Sequence, residues 1–212
     1  LLQMPKKSKM MYPKLAFLLS TLSLHIRTAS ASDPDPVQDF CIPNTEFGST
    51  RTTRFNLVTC KNPEEVSPEE FVFSGIKSPG NFSDTDLSAI SVNPTVFPGL
   101  NTLGMSFVRA DLKVGGINAP HFHPRATEIA YIVQGKVYSG FVDSANRVFA
   151  KIIEQGEVMV FPRGLVHFQM NVGKSSATIF GSFNSQNPGT HKIPNIILVL
   201  ESMMSFWKRL LD

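Results

Sequence analysis

The chain has 212 residues, of which 42% are hydrophobic and 17% are charged. This composition excludes an intrinsically disordered chain, and the length suits one domain with a sizeable core. Fifteen prolines and 14 glycines are more than a helical bundle tolerates, so short strands broken by turns are expected. Removing the five cations of residues 1–31 turns the net charge of +3 into −2, which leaves no basic surface for nucleic acid.

Residues 1–31 have the pattern of a secretory signal peptide. Four lysines precede an apolar run at residues 15–24, and small residues follow at 29–31. The run is shorter than the ~20 residues of a transmembrane helix. His25 and Arg27 argue against the alternative, a short membrane anchor. We therefore expect a secreted protein without stable membrane insertion, in which residues 32–212 form a single domain.

The stretch from residue 32 to about residue 99 has an irregular pattern, rich in Ser, Asn and Pro. It predicts an extended N-terminal arm with a few short strands, such as residues 53–58. Pro68 and the three residues after it are typical of the first turn of a short helix.

Two covalent features are expected in this arm. Cys41 and Cys60 are the chain's two cysteines, and in an oxidising compartment they are candidates for a disulfide, with two free thiols as the alternative. Closing such a loop could contribute ~3 kcal/mol to stability. Asn81 begins the sole Asn-x-Ser/Thr sequon and is a candidate glycosylation site.

The stretch from residue 103 to residue 184 contains recurring short apolar runs rich in Val, Ile and Phe. The runs are residues 104–112, 128–133, 136–142, 148–153, 157–161, 166–172 and 177–184. Gly and Pro separate them, and no segment between them is long enough for the crossover helix of a parallel sheet. They predict an all-β fold of antiparallel strands that form a barrel or sandwich, with the barrel core at about residues 100–190.

Three histidines and one glutamate in this stretch are candidate metal ligands. His121 and His123 share a face if the segment is extended, while Glu128 and His167 begin later apolar runs. Each residue alone has a simpler explanation as a hydrogen-bonded core or surface side chain. Burying all four together would be costly without a cation, and the donor set suits a divalent first-row metal.

The spacing of these residues resembles the cupin superfamily. Gly115-x5-His121-x-His123-x4-Glu128-x6-Gly135 is similar to the first cupin motif, and Gly156-x5-Pro162-x-Gly164-x2-His167-x3-Asn171 is similar to the second. Further segments, at residues 32–41, 101–104, 123–128, 162–169 and 182–189, resemble the germin-like proteins of plants. The resemblance covers about residues 32–194.

The resemblance implies a cupin jelly-roll β-barrel in which His121, His123, Glu128 and His167 hold manganese. It also implies that Cys41 and Cys60 form the family's disulfide. The protein would lie in the plant cell wall or apoplast and assemble as a trimer of dimers. Three imidazoles and one carboxylate leave about two of six octahedral positions for water or a small anion.

Three functions remain open from the sequence. Superoxide dismutase activity is the one usually attributed to germin-like proteins, and no catalytic residue beyond the metal ligands is needed for it. Oxalate oxidase, the activity of true germins, is thought to need two asparagines near the metal: Asn118 matches one, but Val108 stands at the other position. A non-catalytic cell-wall structural or receptor role is the third, since related cupins bind auxin. Gln169 and Asn171 could line or brace the site, with a structural role in the turn as the alternative.

The resemblance stops after Pro194. Residues 195–212 are mostly apolar and end with two cations and an acid, which predicts a short, atypical C-terminal helix. Germin-like chains usually continue with helices that clasp the neighbouring subunit. Their absence from this pattern weakens the expectation of a trimer of dimers but leaves the four candidate ligands intact.

Overall fold

The structure, a computed structural model, describes residues 38–44 and 59–195. The predicted signal peptide, the predicted strand at 53–58 and nearly all of the atypical tail lie outside these residues. Within the described ranges, no helix is long and apolar enough to cross a bilayer.

Ten strands are the main secondary-structure elements of the described residues. In chain order they are β1 Leu87–Val92, β2 Ser106–Leu112, β3 Ile117–Phe122, β4 Glu128–Gln134, β5 Lys136–Val142, β6 Val148–Glu154, β7 Val158–Phe161, β8 His167–Asn171, β9 Ala177–Phe183 and β10 His191–Lys192. Short 3-10 helices occupy Pro63–Glu65, Pro68–Phe71 and Pro98–Leu100. Pro68 therefore does begin a helical turn, although a very short one.

The strands form two five-stranded sheets. One has the order β1-β2-β9-β4-β7 and the other β10-β3-β8-β5-β6. Every strand pair is antiparallel. Consecutive strands repeatedly lie in opposite sheets, as in a jelly roll. The predicted all-β fold and its jelly-roll architecture are confirmed.

Alternation along the strands determines which side chains face the interior. In β4, buried and more exposed residues alternate from Glu128 onward, and β9 shows the same period of two. The turn between β4 and β5 depends on Gly135, whose φ is +93°. A Cβ at this position would lie 2.7 Å from the Cβ of Ala177, so the tight turn needs glycine.

An apolar cluster fills the interior between the sheets. Its members are Leu87, Ala110, Leu112, Ala130, Ile132, Val137, Ile153, Phe161, Ala177 and Ile179. Phe161 connects this core with the candidate ligands, because its ring stacks on that of His167 at 4.4 Å between centroids. The apolar core thus packs directly against the imidazole of His167.

The N-terminal arm contains a disulfide and is held to the first sheet by polar contacts. Cys41 and Cys60 form a disulfide, as expected, with their Cα atoms 5.0 Å apart. Arg109 pairs with Asp111 at 2.7 Å and donates to the carbonyls of Ile76 and Lys77, both at 3.0 Å. These bonds hold the backbone of the arm against β2.

Three strands have no separate counterpart among the predicted apolar runs. β1 lies in the irregular stretch and pairs with β2 along its whole length. β3 contains Pro120, and β10 has only two residues. Their local sequences give no clear strand signal, because β1 mixes Ser and Ala with its apolar residues, β3 contains a proline and β10 is very short, and pairing with neighbours stabilises them.

Candidate metal centre

The four candidate ligands predicted from the sequence come together between the two sheets. One ligand atom of each residue (His121, His123, Glu128 and His167) lies within 4.8 Å of the others. All four side chains are buried, with exposed fractions between 1% and 6%. The four residues are therefore placed where one ion could contact all of them.

Strand pairing brings the histidines together. His121, near the end of β3, is the direct partner of His167 at the start of β8, and their ring centroids are 4.2 Å apart. An irregularity in the register between Asn118 and His121 precedes this pair. His123 follows two residues after His121 and faces the same side. A hydrogen bond of 3.0 Å from the Gly164 amide to the His123 carbonyl connects the two segments.

Glu128 reaches the histidines from the opposite sheet. It is the first residue of β4, where Phe161 and Phe183 are its partners on either side. Gly181 on β9 makes room for its carboxylate: a Cβ there would lie 2.6 Å from Glu128 Oε1 and 2.7 Å from Val108 Cγ1. The site therefore depends on both sheets keeping their registers.

Backbone carbonyls set the tautomer of each imidazole. The Nδ1 atoms of His121, His123 and His167 lie 2.8, 2.5 and 2.9 Å from the carbonyls of Ala119, Gly189 and Leu165. A carbonyl can only accept, so each Nδ1 donates a proton. Each neutral ring then presents the lone pair of Nε2, the arrangement that orients histidines as metal ligands.

Two atoms of the cluster are buried without a hydrogen-bond partner, Glu128 Oε2 and His167 Nε2. Glu128 Oε2 lies 3.2 Å from His123 Nε2 and 3.3 Å from His167 Nε2. With the ring protons on Nδ1, these contacts join a lone pair to a lone pair. A cation between the atoms would satisfy all of them, which is what makes the arrangement fit a metal ion.

The ionisation of the cluster also suits a cation. Burial, reinforced by the neighbouring His167, lowers the pKa of His121 to about 4, so its imidazole is neutral at physiological pH. Burial alone would raise the pKa of the Glu128 carboxyl, but protons on Nε2 of His123 and His167 that donate to it outweigh burial and lower that pKa to about 2. A metal cation in the place of those protons would favour the ionised carboxylate in the same way. Neutral imidazoles and an ionised carboxylate are the forms that bind divalent first-row metals.

A cavity of about 670 Å³ opens onto the cluster, and His121, His123 and Glu128 are in its wall. Val108, Asn118 and Gln169, three of the four predicted pocket residues, line it. The Asn118 amide donates to Gln169 Oε1 at 2.7 Å, so these two side chains hold each other. A bound molecule could meet this amide pair and, at Val108, apolar methyl groups; the wall also includes polar side chains such as Asn93, Asn101 and Thr190.

Asn171, the fourth predicted pocket residue, does not line this cavity. Its buried amide nitrogen lies 3.0 Å from the carbonyls of Leu112 and Lys113 and 2.8 Å from that of Ser175, and its oxygen accepts from the Gly173 amide at 2.9 Å. These bonds hold two turns together after β2 and β8. Its position corresponds to the structural alternative.

The comparisons with known proteins agree with this fold and site. The two sheets and the buried cluster define a cupin domain, and the family model described as Cupin matches residues 74–205. Germin-like protein subfamily 3 member 2 of Arabidopsis thaliana is 58% identical over 185 residues, which cover 85% of this chain and 82% of that protein. Germin-like protein 2-4 of Oryza sativa subsp. japonica is 54% identical, covering 78% and 74% of the two chains. The chain belongs to the germin-like proteins.

Solved structures include two informative neighbours. A recombinant oxalate oxidase in complex with glycolate has a TM-score of 0.70 and 40% identity, covering 77% of this chain and 82% of that one. Peruvianin-I, described as a cysteine peptidase from Thevetia peruviana latex, has a TM-score of 0.69 and 34% identity, covering 76% and 98%. In this chain both cysteines are joined in the disulfide, so neither offers a thiol nucleophile.

The sequence analysis did not single out two residues of the site. Gly181 matters through a close approach across the sheet, and Lys192 lines the cavity from β10. Neither carries a local signal, because each acquires its place through pairing between strands distant in sequence.

Proposed function

We propose that the protein binds manganese through His121, His123, Glu128 and His167 and acts as a superoxide dismutase. The observation that carries the proposal is the set of three Nε2 lone pairs and one carboxylate converging on a common point, next to an open cavity. Such a donor set leaves coordination positions free for a small anion. Manganese, when bound, supplies a one-electron couple between its 2+ and 3+ states.

The protein's own residues hold and shield the reacting centre. The three carbonyls that accept from Nδ1 fix the orientation of the imidazoles, so that each Nε2 is directed inward. The Glu128 carboxylate offsets part of the charge of a divalent ion. Val108 and Ile179 supply apolar wall. Dismutation converts two superoxide ions and two protons into dioxygen and hydrogen peroxide, so the substrate needs only a path to the centre and a source of protons such as water in the cavity.

Oxalate oxidation is the second candidate, because an oxalate oxidase is among the structural neighbours. The cavity wall argues against it. Oxalate has four oxygens to satisfy, yet Val108 presents methyl groups and one of the two N–H groups of the Asn118 amide is already donated to Gln169. An unmade hydrogen bond at a buried site costs about 1–3 kcal/mol. We therefore rank this activity below dismutation, and a non-catalytic cell-wall or receptor role third.

The setting we propose for this activity is the plant cell wall. Secretion rests on the signal-peptide pattern of residues 1–31, and the disulfide is consistent with an oxidising compartment. Asn81 is exposed, so a glycan could be attached there. A trimer of dimers remains the family-based expectation for assembly.

One secreted preparation of the full chain tests the proposal. Metal analysis should find manganese, and a dismutase assay should detect activity that His123→Ala abolishes together with the metal. An oxalate oxidase assay on the same sample should yield no peroxide. Peroxide formation from oxalate would reverse the ranking, and folded, manganese-loaded protein without either activity would support the non-catalytic role.

A further inference from the structure

Lys192 is the feature of the cavity that the proposed function does not use. It lies on β10, where it is the direct antiparallel partner of His121. Directly paired residues direct their side chains to the same face of a sheet. His121 faces the interior, so Lys192 lies on the same side as the candidate ligands.

The neighbouring pair confirms this orientation. His191 pairs with Phe122, and their rings stack at 4.9 Å on the other face of the same two strands. Lys192 is exposed and at the same time lines the cavity. Its ammonium group is therefore placed between solvent and the cluster, at the mouth of the cavity.

With a metal ion bound, the charge around the mouth of the cavity would be positive. Among the described residues, Glu128 and Lys192 are the only Asp, Glu, Lys or Arg side chains in the cavity wall, and a bound divalent cation would more than neutralise Glu128. No carboxylate within residues 38–44 and 59–195 pairs with Lys192. Arg125 adds a cation close by, donating at 2.8 Å to Asn187, another wall residue.

We propose that Lys192 attracts the small anionic substrate into the cavity and so sets its rate of entry, an inference that rests on the proposed metal centre. A cation at the mouth of a cavity with low-dielectric walls raises the local concentration of anions. Lys192 does not touch the reacting atoms in this role. It acts on association, and it discriminates against cationic and neutral molecules of similar size.

The experiment compares full-length, manganese-loaded wild type with Lys192→Gln and Lys192→Glu. Lys174→Gln is the matched control, since Lys174 is an exposed lysine in the turn beyond the end of β8 that is remote from His167. Two quantities are measured from about 10 mM to 0.5 M salt, a range over which the Debye length falls from about 30 Å to less than 8 Å. The first is the second-order rate constant for the reaction with superoxide. The second is the Kd of azide, a small anionic probe whose binding is measured from the change it causes in the absorption spectrum of the bound manganese.

At low salt we expect Lys192→Gln to lower the rate constant and weaken azide binding by about 3- to 10-fold, and Lys192→Glu by more. High salt should bring the variants together, and Lys174→Gln should match wild type throughout. Lys192 variants that equal wild type in both measurements would overturn the inference. If azide binding depends on Lys192 but the protein has no dismutase activity, the role of Lys192 in attracting anions is supported and the proposed function is refuted. Absence of both activity and azide binding in the wild type would refute both.

Discussion

Replacing Glu128 by Gln is expected to have opposite effects on metal binding and on the stability of the metal-free protein. The substitution keeps the shape of the side chain and removes its charge. Metal affinity should fall on the order of 100-fold or more, because one of four ligands becomes a weak one. The metal-free protein should become more stable.

The expected gain in stability follows from the two orphaned atoms. Glu128 Oε2 and His167 Nε2 have no hydrogen-bond partner, and each such buried atom costs about 1–3 kcal/mol. A Gln amide nitrogen at the position of Oε2 would donate to His123 Nε2 at 3.2 Å and His167 Nε2 at 3.3 Å. We expect the free energy of unfolding to rise by about 2–4 kcal/mol.

The assay is urea denaturation after chelator treatment at pH 8, where unperturbed histidines are neutral. Glu154→Gln, which alters an exposed glutamate paired with Lys136, is the control and should change little. Metal content of the untreated proteins is measured in parallel. A metal-free Glu128→Gln protein less stable than wild type, or one that retains manganese normally, would show that the four residues are not organised around a cation.

Asn171, Gly181 and His121 each allow a further test of the candidate metal centre and the residues around it. Asn171→Ala should lower the free energy of unfolding by about 2–4 kcal/mol in urea denaturation, because it removes the hydrogen bonds of the buried amide to the carbonyls of Leu112, Lys113 and Ser175. Metal content per folded molecule should stay unchanged, and loss of manganese would instead make Asn171 a site residue. Gly181→Ala should weaken manganese binding at least about 10-fold, measured by equilibrium dialysis, because the added Cβ would clash with the Glu128 carboxylate. Unchanged affinity would show that the carboxylate can move without loss of metal binding. The metal-free protein should lose stability as the pH falls from about 6.5 towards 4: in this window the unfolded His121 binds a proton and the folded one, with its pKa lowered by burial to about 4, does not. We expect the free energy of unfolding to fall by about 3 kcal/mol over this range, measured by urea denaturation at a series of pH values. A His121→Phe variant whose stability depends on pH as steeply as that of wild type would show that His121 is not the group responsible.

Short-range patterns in the sequence were enough to predict most of the strands and the four candidate ligands. The runs that became β4, β5 and β9 alternate between buried and more exposed residues over much of their length, and period-two alternation is a property of each strand by itself. His121 and His123 share a face for the same local reason, and the resemblance of the glycine and proline spacing to the two cupin motifs linked them with Glu128 and His167.

Pairing between distant strands decided the rest. β1, β3 and β10 are strands because of their partners, and the partnership of β10 with β3 brings Lys192 to the face that holds His121. The choice between Gln169 and Asn171 as cavity residues also depended on tertiary structure: both are buried on β8, but Gln169 lines the cavity while Asn171 is bonded to carbonyls beyond its wall. The sequence of one strand shows which of its residues share a face. Which side chains line a cavity depends on how strands distant in the sequence pair and in which register, so it is decided only by the tertiary structure.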